Sequence, residues 1–96
     1  MNIFISQPMR GLTQEEIQEA RENIEVLLIE KYPEGKILDS YFKDYKGNAI
    51  QFLAKSIDLL ATADIAVFAP NWEHNSGCVI EHEVAIRYGV PVLYLS

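Results

Sequence analysis

The hydrophobic residues of this chain alternate between short continuous runs and helical spacing from one end to the other. Three short apolar runs, at 3–5, 65–69 and 92–95, predict β-strands, and the segment Lys36-Ile37-Leu38-Asp39 predicts a further short strand. Residues 65–69 are apolar at every position, as expected of a central strand that is covered on both faces. Strands that alternate with helices along a chain are typical of a parallel sheet with helices on both sides.

The first helical segment begins at a capping box and ends before a proline. Thr13 is the predicted N-cap, and Glu16 is the N3 residue that bonds back to it. Tyr32 and Pro33 end the helix. We expect its buried face to consist of the apolar residues at helical spacing, Ile17, Ala20, Ile24, Leu27 and Leu28.

Two more helical segments follow. Asn48 is the predicted cap of the second, whose apolar stripe runs from Ala49 to Leu60 and is interpreted as core packing only. The third covers residues 77–88 and ends at the Gly89–Pro91 break. An aromatic loop that contains Tyr41, Phe42 and Tyr45 precedes the second helix. It either lines a ligand pocket or covers the edge of the sheet, and the sequence leaves both possibilities open.

These elements predict one α/β domain over residues 1–96. The expected architecture is a short flavodoxin-like, Rossmann-like three-layer sandwich, with a four-stranded parallel sheet in the order 2-1-3-4. In such a sheet the default ligand site is the crevice at the carboxyl ends of strands 1 and 3. Two loops converge there, Ser6–Gly11 after strand 1 and Pro70–Gly77 after strand 3.

Composition excludes several function classes. The chain has 14 acidic and 8 basic residues and a formal charge of −6, which argues against nucleic acid or an anionic membrane as a partner. Cys78 is the only cysteine, so no intramolecular disulfide or multi-cysteine zinc site is expected. No glycine-rich dinucleotide or P-loop motif follows strand 1, and no cofactor is expected. With no signal-like N-terminus and no long apolar stretch, the expected location is cytoplasmic.

Three short motifs carry a resemblance to a known family. They are Ser6-Gln7-Pro8-Met9-Arg10-Gly11 ahead of the first helix, Ala63-Asp64-Ile65 leading into strand 3, and Asn75-Ser76-Gly77-Cys78-Val79-Ile80-Glu81 at the start of the third helix. In this order they resemble the nucleoside 2-deoxyribosyltransferase family. The family includes deoxynucleoside-monophosphate glycosidases and small phage-type relatives. The resemblance spans almost the whole chain.

The resemblance implies roles for individual residues. Glu81 matches the glutamate nucleophile that takes the deoxyribosyl group, and Asp64 matches an aspartate near the base or the nucleophile. Asn75 stands where transferases often place an aspartate that contacts sugar hydroxyls. Gln7 replaces the first glycine of the family's loop, whose remaining residues fit. The implied substrate-binding set is Ser6, Gln7, Met9, Arg10, Gly11, Trp72, Asn75, Ser76 and Gly77.

General chemistry supports a carboxylate at this place. Cleavage of an N-glycosidic bond passes through an oxocarbenium-like state, which a carboxylate beneath the anomeric carbon stabilises or attacks. Glu81 lies one turn into a helix whose N-terminus faces the crevice, and we expect this position to favour the ionised form. Glu83 instead has a surface partner in Arg87 at i+4. Arg10 is placed to clamp a 5′-phosphate.

Each assignment competes with a structural interpretation. Asp64 also suits the turn before strand 3, and Arg10 also suits an ion pair with Glu15. Trp72 is equally suited to sealing the core, and Asn75 and Ser76 are natural N-caps. His74, Cys78 and His82 have the spacing of metal ligands on one continuous helix, but the break at 75–77 argues against such a helix, and no metal site is expected.

The sequence therefore predicts a domain that binds a nucleoside or deoxynucleotide and cleaves or transfers at the N-glycosidic bond. A homo-oligomer is expected, because so short a chain has little structure with which to enclose a pocket. Two alternatives remain open: a non-catalytic nucleotide-binding or sensing module, and a phage-type interaction protein with no small-molecule substrate.

Overall fold

The computed structural model describes residues 1–95 and contains four strands and three α-helices joined by short loops. A single 3₁₀ turn, Trp72–His74, precedes the last helix. In chain order the elements are β1 (Asn2–Ser6), α1 (Gln14–Lys31), β2 (Lys36–Ile37), α2 (Ala49–Leu60), β3 (Ile65–Phe68), α3 (Ser76–Arg87) and β4 (Val92–Tyr94).

The four strands form one parallel sheet in the order β2-β1-β3-β4, which confirms the predicted topology. In the register between the two central strands, Ile3 pairs with Ile65 and Ser6 pairs with Phe68. Ser6 and Phe68 are the last residues of their strands, so the chain leaves both strands at the same edge of the sheet. This edge receives the loops that follow β1 and β3.

Local capping fixes where the helices begin. The hydroxyl of Thr13 accepts from the backbone N–H of Glu16, and the Glu16 carboxylate accepts from the backbone N–H of Thr13. Asn48 and Gln51 form the same reciprocal pair at the start of α2. These caps satisfy backbone donors that have no partner within the helix, which explains why the boundaries were predictable from the sequence.

A hydrophobic layer covers each face of the sheet. On one face, Ile3, Ile5 and Val67 pack against Ile24 and Leu28 of α1. The opposite face carries the layer formed by Phe4, Ala66, Phe68, Leu60 and Ala85, the last two from α2 and α3. Alternate strand residues point to opposite faces, so β1 and β3 are buried on both sides, as predicted for central strands.

Two predicted helix faces differ from the structure. In α1 the buried stripe is Ile17, Arg21, Ile24 and Leu28, whereas Ala20 and Leu27 face outward. In α2 only Leu60 is fully buried, and Ile50 is 77% exposed. The prediction that the α2 stripe serves only as core was wrong, because the N-terminal half of this helix lines a cavity.

No helix within residues 1–95 is long and apolar enough to cross a membrane.

Candidate active site

A cavity of about 490 Å³ lies at the carboxyl end of β1, where the predicted crevice was expected. Five segments form its walls: the end of β1, the β1 loop (residues 7–12), the β2 loop (residues 40–47), the N-terminal half of α2 and the beginning of α3. β2 is the edge strand beside β1, so the loop that follows β2 lies beside the loop that follows β1 and forms a wall of its own. Most lining side chains are apolar, with a small number of polar groups among them.

Glu81 lies in this cavity at the inner side of α3. Its side chain is 7% exposed, and its Oε1 accepts a hydrogen bond from the Ser6 hydroxyl at 2.6 Å. Ser6 is the last residue of β1 and is 1% exposed, so the pair joins the sheet to the helix at the base of the site. Within residues 1–95, Glu81 is the only carboxyl group that lines the cavity.

The Glu81 carboxyl is harder to ionise than the sequence suggested. Burial raises its pKa from 4.5 to about 7, because water no longer solvates the charged form. The Ser6 hydroxyl, which donates to the carboxylate, and the nearby side chain of Ser56 oppose this shift. The expectation that this position favours the ionised form was therefore wrong in direction, because desolvation by burial is the largest influence on the carboxyl.

Cys78 lines the cavity one turn before Glu81 and is 2% exposed. Burial raises the pKa of its thiol to about 11, although the Ser6 side chain opposes the shift. The thiol is thus protonated at neutral pH, and a protonated thiol is a poor nucleophile. Cys78 contributes surface to the cavity rather than reactivity.

The β1 loop places two predicted residues at the mouth of the cavity and turns a third inward. Met9 and the exposed Arg10 line the cavity, and Arg10 forms no ion pair within residues 1–95, with Glu15 or any other carboxylate. Gln7 also lines it, but its Nε2 donates to the backbone oxygen of Ile17 at 3.0 Å. Gly11 has a φ of 81° in the exposed turn before α1, a conformation that favours glycine.

The N-cap Asn75 and the first two residues of α3, Ser76 and Gly77, line the cavity. The side chain of Asn75 accepts from the backbone N–H of Cys78 at 3.0 Å, so Asn75 is also the N-cap of the helix. The functional and the structural interpretations of this residue are therefore compatible, because a capping side chain occupies the same helix end that faces a ligand.

Asp64 is not brought to the cavity. It precedes β3, and its carboxylate accepts from the backbone N–H of Asn2 at 2.6 Å. Asn2 and Asp64 lie at the amino ends of their strands, whereas Glu81 and Ser6 meet at the carboxyl end. A four-residue strand is about 13 Å long, which separates the two carboxylates. This placement agrees with the alternative in which Asp64 supports the turn before β3.

Trp72 turns toward β4 and away from the cavity. Its ring stacks on His82 at 4.2 Å between centroids and lies 5.8 Å from the Tyr94 ring. His82 Nε2 and the Tyr94 hydroxyl are 2.6 Å apart, which joins the stack to the last strand. Trp72 also packs against the buried Phe68. The structure therefore agrees with the interpretation in which Trp72 seals the core. The His82 ring packs against the Trp72 ring.

Sequence reasoning missed the wall that α2 provides. Phe52, Leu53 and Ser56 line the cavity from this helix, and Tyr41 and Phe42 line it from the β2 loop. The open question about the aromatic loop is thus answered for these two rings. One signal was present for α2: Ser56 is a polar residue at helical spacing from Phe52, Leu53 and Leu60, and in the structure it lies near Glu81.

Comparison with known proteins adds one finding. No protein-family model and no curated protein sequence matches this chain. A solved structure, a 2-desoxiribosyltransferase from Leishmania mexicana, is similar over 99% of this chain, with a TM-score of 0.73 and 22% sequence identity. The chain spans 63% of the length of that structure. The similarity supports the flavodoxin-like α/β fold with the strand order given above.

Proposed function

We propose that this domain binds a nucleoside or deoxynucleotide in the cavity and cleaves or transfers at the N-glycosidic bond through Glu81. The observation that carries the proposal is a single buried carboxyl group, held by Ser6, that faces a cavity at the carboxyl end of a parallel sheet. The solved structure with the same fold is named as a 2-desoxiribosyltransferase, which agrees with this class of reaction.

In the first step, a carboxylate oxygen of Glu81 attacks the anomeric carbon as the bond between that carbon and the base nitrogen breaks. The electron pair of the broken bond leaves with the base, which takes a proton from water. In the second step, water or a second base displaces Glu81 from the sugar. Water makes the protein a hydrolase, and a second base makes it a transferase.

The walls of the cavity suit the two ends of such a substrate. Tyr41, Phe42 and Phe52 offer rings for packing against a base. Arg10 carries a positive charge at the mouth, where it binds a 5′-phosphate if the substrate is a monophosphate. The substrate is expected to lie between these groups, with its sugar over Glu81.

A homo-oligomer completes the pocket in this proposal. Ile50 and Ile80 line the cavity yet are 77% and 43% exposed, so apolar surface continues from the cavity to the outside of the domain. A second copy that packs on this surface removes it from water and encloses the substrate.

The position of Asp64 favours one alternative, a nucleotide-binding module without turnover. With Asp64 at the other end of the sheet, the cavity holds no second carboxyl group within residues 1–95 to protonate the leaving base. Binding of a nucleotide without release of its base would establish this alternative.

The experiment is a base-release assay on the wild-type protein, the Glu81→Gln variant and the Glu83→Gln variant. Each common deoxynucleoside and its 5′-monophosphate is incubated with and without a second free base, and the products are separated by chromatography. We expect release or exchange that is lost in Glu81→Gln and kept in Glu83→Gln, because Glu83 is exposed and paired with Arg87. Equal loss in both variants, or no release from any substrate, contradicts the catalytic proposal.

A further inference from the structure

A buried arginine lies directly behind the cavity. Arg21 occupies the middle of the buried stripe of α1 and is 7% exposed, in a position where an apolar residue is the usual choice. Burial lowers the pKa of its guanidinium, while the charges of Glu25 and Asp39 oppose that shift. A buried cation costs folding free energy unless its donors are satisfied, so its hydrogen bonds indicate what it does.

The guanidinium of Arg21 bonds to both loops that form the cavity. Its Nη1 donates to Oε1 of Gln7 at 3.3 Å and to the Ser40 hydroxyl oxygen at 3.1 Å. Its Nη2 donates to the backbone oxygen of Leu38 at 2.9 Å, and its Nε lies 3.5 Å from a Glu25 carboxylate oxygen. One side chain thus connects the start of the β1 loop with the start of the β2 loop.

The two polar partners of Arg21 are themselves bonded to the protein. The Ser40 hydroxyl donates to the backbone oxygen of Ile5 at 2.8 Å, and the Gln7 amide donates to that of Ile17. Both residues line the cavity, but these bonds hold their side chains against β1 and α1. Gln7 and Ser40 therefore fix the direction in which each loop leaves the sheet.

We propose that Arg21 is a positioning residue that holds the β1 loop and the β2 loop at a fixed separation and thereby sets the width of the cavity. The β1 loop carries Met9 and Arg10, and the β2 loop carries Tyr41 and Phe42, so the separation decides whether both walls contact one ligand. The consequence for nucleotide affinity rests on the proposed function; the mechanical role does not.

The chemistry of the guanidinium explains why arginine is required. Nη1 carries two N–H bonds, one for Gln7 and one for Ser40, and the bond from Nη2 to the Leu38 carbonyl fixes the direction of the planar group. A lysine keeps the charge, but its side chain ends one bond short of the position of Nη1, and it has no second nitrogen to bond to the Leu38 carbonyl. The Arg21→Lys variant is therefore expected to separate the loops although the charge remains.

Hydrogen–deuterium exchange tests the mechanical role without any ligand. Backbone amides of Leu12, Lys43 and Tyr45 bond within the two loops and report on their order. In Arg21→Lys we expect amide exchange in both loops to accelerate by about tenfold, because the loops lose a hydrogen bond from a charged donor. The exchange of residues 70–77 is expected to stay unchanged. The control is Ile24→Ala, which removes core packing one turn along the same helix.

The proposal would be overturned if amide exchange in Arg21→Lys accelerated uniformly along the chain. It would also be overturned if the exchange pattern matched that of Ile24→Ala when the two variants have equal melting temperatures. In either case Arg21 would contribute to stability only. Acceleration in one loop without the other would overturn it as well, because the proposed role is to join the two.

Ligand affinity is the second measurement. For a nucleotide that binds or reacts with the wild-type protein, we expect Arg21→Lys to raise Kd or KM by about tenfold or more, because the walls are misplaced. Ile24→Ala is expected to leave both constants near wild type at a temperature where it is folded, and an equal rise in both variants contradicts the proposal. If the wild-type protein binds no nucleotide, the proposed function fails, and the exchange measurement still decides the role of Arg21.

Discussion

Replacement of Glu81 by glutamine is expected to abolish turnover and to stabilise the protein at alkaline pH. The folded protein holds the Glu81 proton up to about pH 7, whereas the same group ionises near pH 4.5 at its ordinary value. Between these values the folded state binds more protons than the unfolded state, so the free energy of unfolding falls as the pH rises. The contribution of the neutral carboxyl is complete below about pH 4.5 and is lost as the pH passes about 7.

The size of this effect follows from the pKa shift. Each unit of pKa corresponds to about 1.4 kcal/mol, so the shift at Glu81 lowers the free energy of unfolding by about 2 to 3 kcal/mol between pH 5 and pH 8. A glutamine is neutral at both pH values and keeps an oxygen that accepts from Ser6. Over that interval, the stability of Glu81→Gln relative to wild type should rise by about 2 to 3 kcal/mol. For a domain of this size the corresponding gain in melting temperature is on the order of 10 to 20 °C.

Denaturant unfolding of wild type, Glu81→Gln and Glu83→Gln at pH 5 and pH 8 measures this difference. The other titrating groups are common to the proteins compared, so their contributions cancel in the difference between variant and wild type. Glu83 is exposed and is paired with Arg87, and its replacement should give nearly the same change in stability at both pH values. A Glu81→Gln difference that does not change between pH 5 and pH 8 would refute the conclusion that the carboxyl is held neutral by burial.

Three further predictions follow from the same contacts. If Glu81 attacks as a carboxylate, kcat/KM for base release should rise with pH, with a midpoint at about pH 7. Ser6→Ala should move this midpoint upward by about one pH unit, because the Ser6 hydroxyl favours the charged form of Glu81. An unchanged midpoint in Ser6→Ala contradicts this prediction. Arg10→Ala should raise KM for 5′-monophosphates far more than for nucleosides, with the exposed Arg87→Ala as its control, and an equal effect on both substrates excludes a phosphate clamp. Thr13→Ala should lower the free energy of unfolding by about 1 kcal/mol, measured by urea denaturation, and no loss would show that the capping box is dispensable.

Much of the fold was predictable because its signals are local. The three short apolar runs became β1, β3 and β4, and the capping residues Thr13 and Asn48 precede α1 and α2 where expected. Of the predicted strand at 36–39, only Lys36 and Ile37 form β2. The sheet order required two more inputs, the right-handed connection of parallel strands and analogy with flavodoxin-like sheets, and the shared direction of the strands placed the two loops and Glu81 at one edge. The location of the candidate site thus follows from element order together with general rules of topology.

The missed features depend on contacts between distant parts of the chain. Arg21 resembles any surface arginine until Gln7 and Ser40, 14 and 19 residues away, supply its partners. Asp64 was assigned to the site from its motif, although a residue that precedes a parallel strand lies at the opposite end from residues that follow one. The α2 stripe predicted an apolar face correctly, but periodicity gives no indication of whether such a face meets the core or a cavity.

By itself, the sequence determined the type and order of the strands and α-helices and the residues at which α1 and α2 begin, because hydrophobic period and end-capping act within a few residues. Only the tertiary structure decided the chemistry of the site. Whether Glu81 is charged depends on how completely its surroundings exclude water from it and on how far Ser6 and Ser56 oppose that effect. Glu81 and these two serines come from three different elements, α3, β1 and α2. Desolvation depends on the three-dimensional surroundings of a group, so the position of Glu81 in its helix predicted where it lies and gave the wrong direction for its pKa.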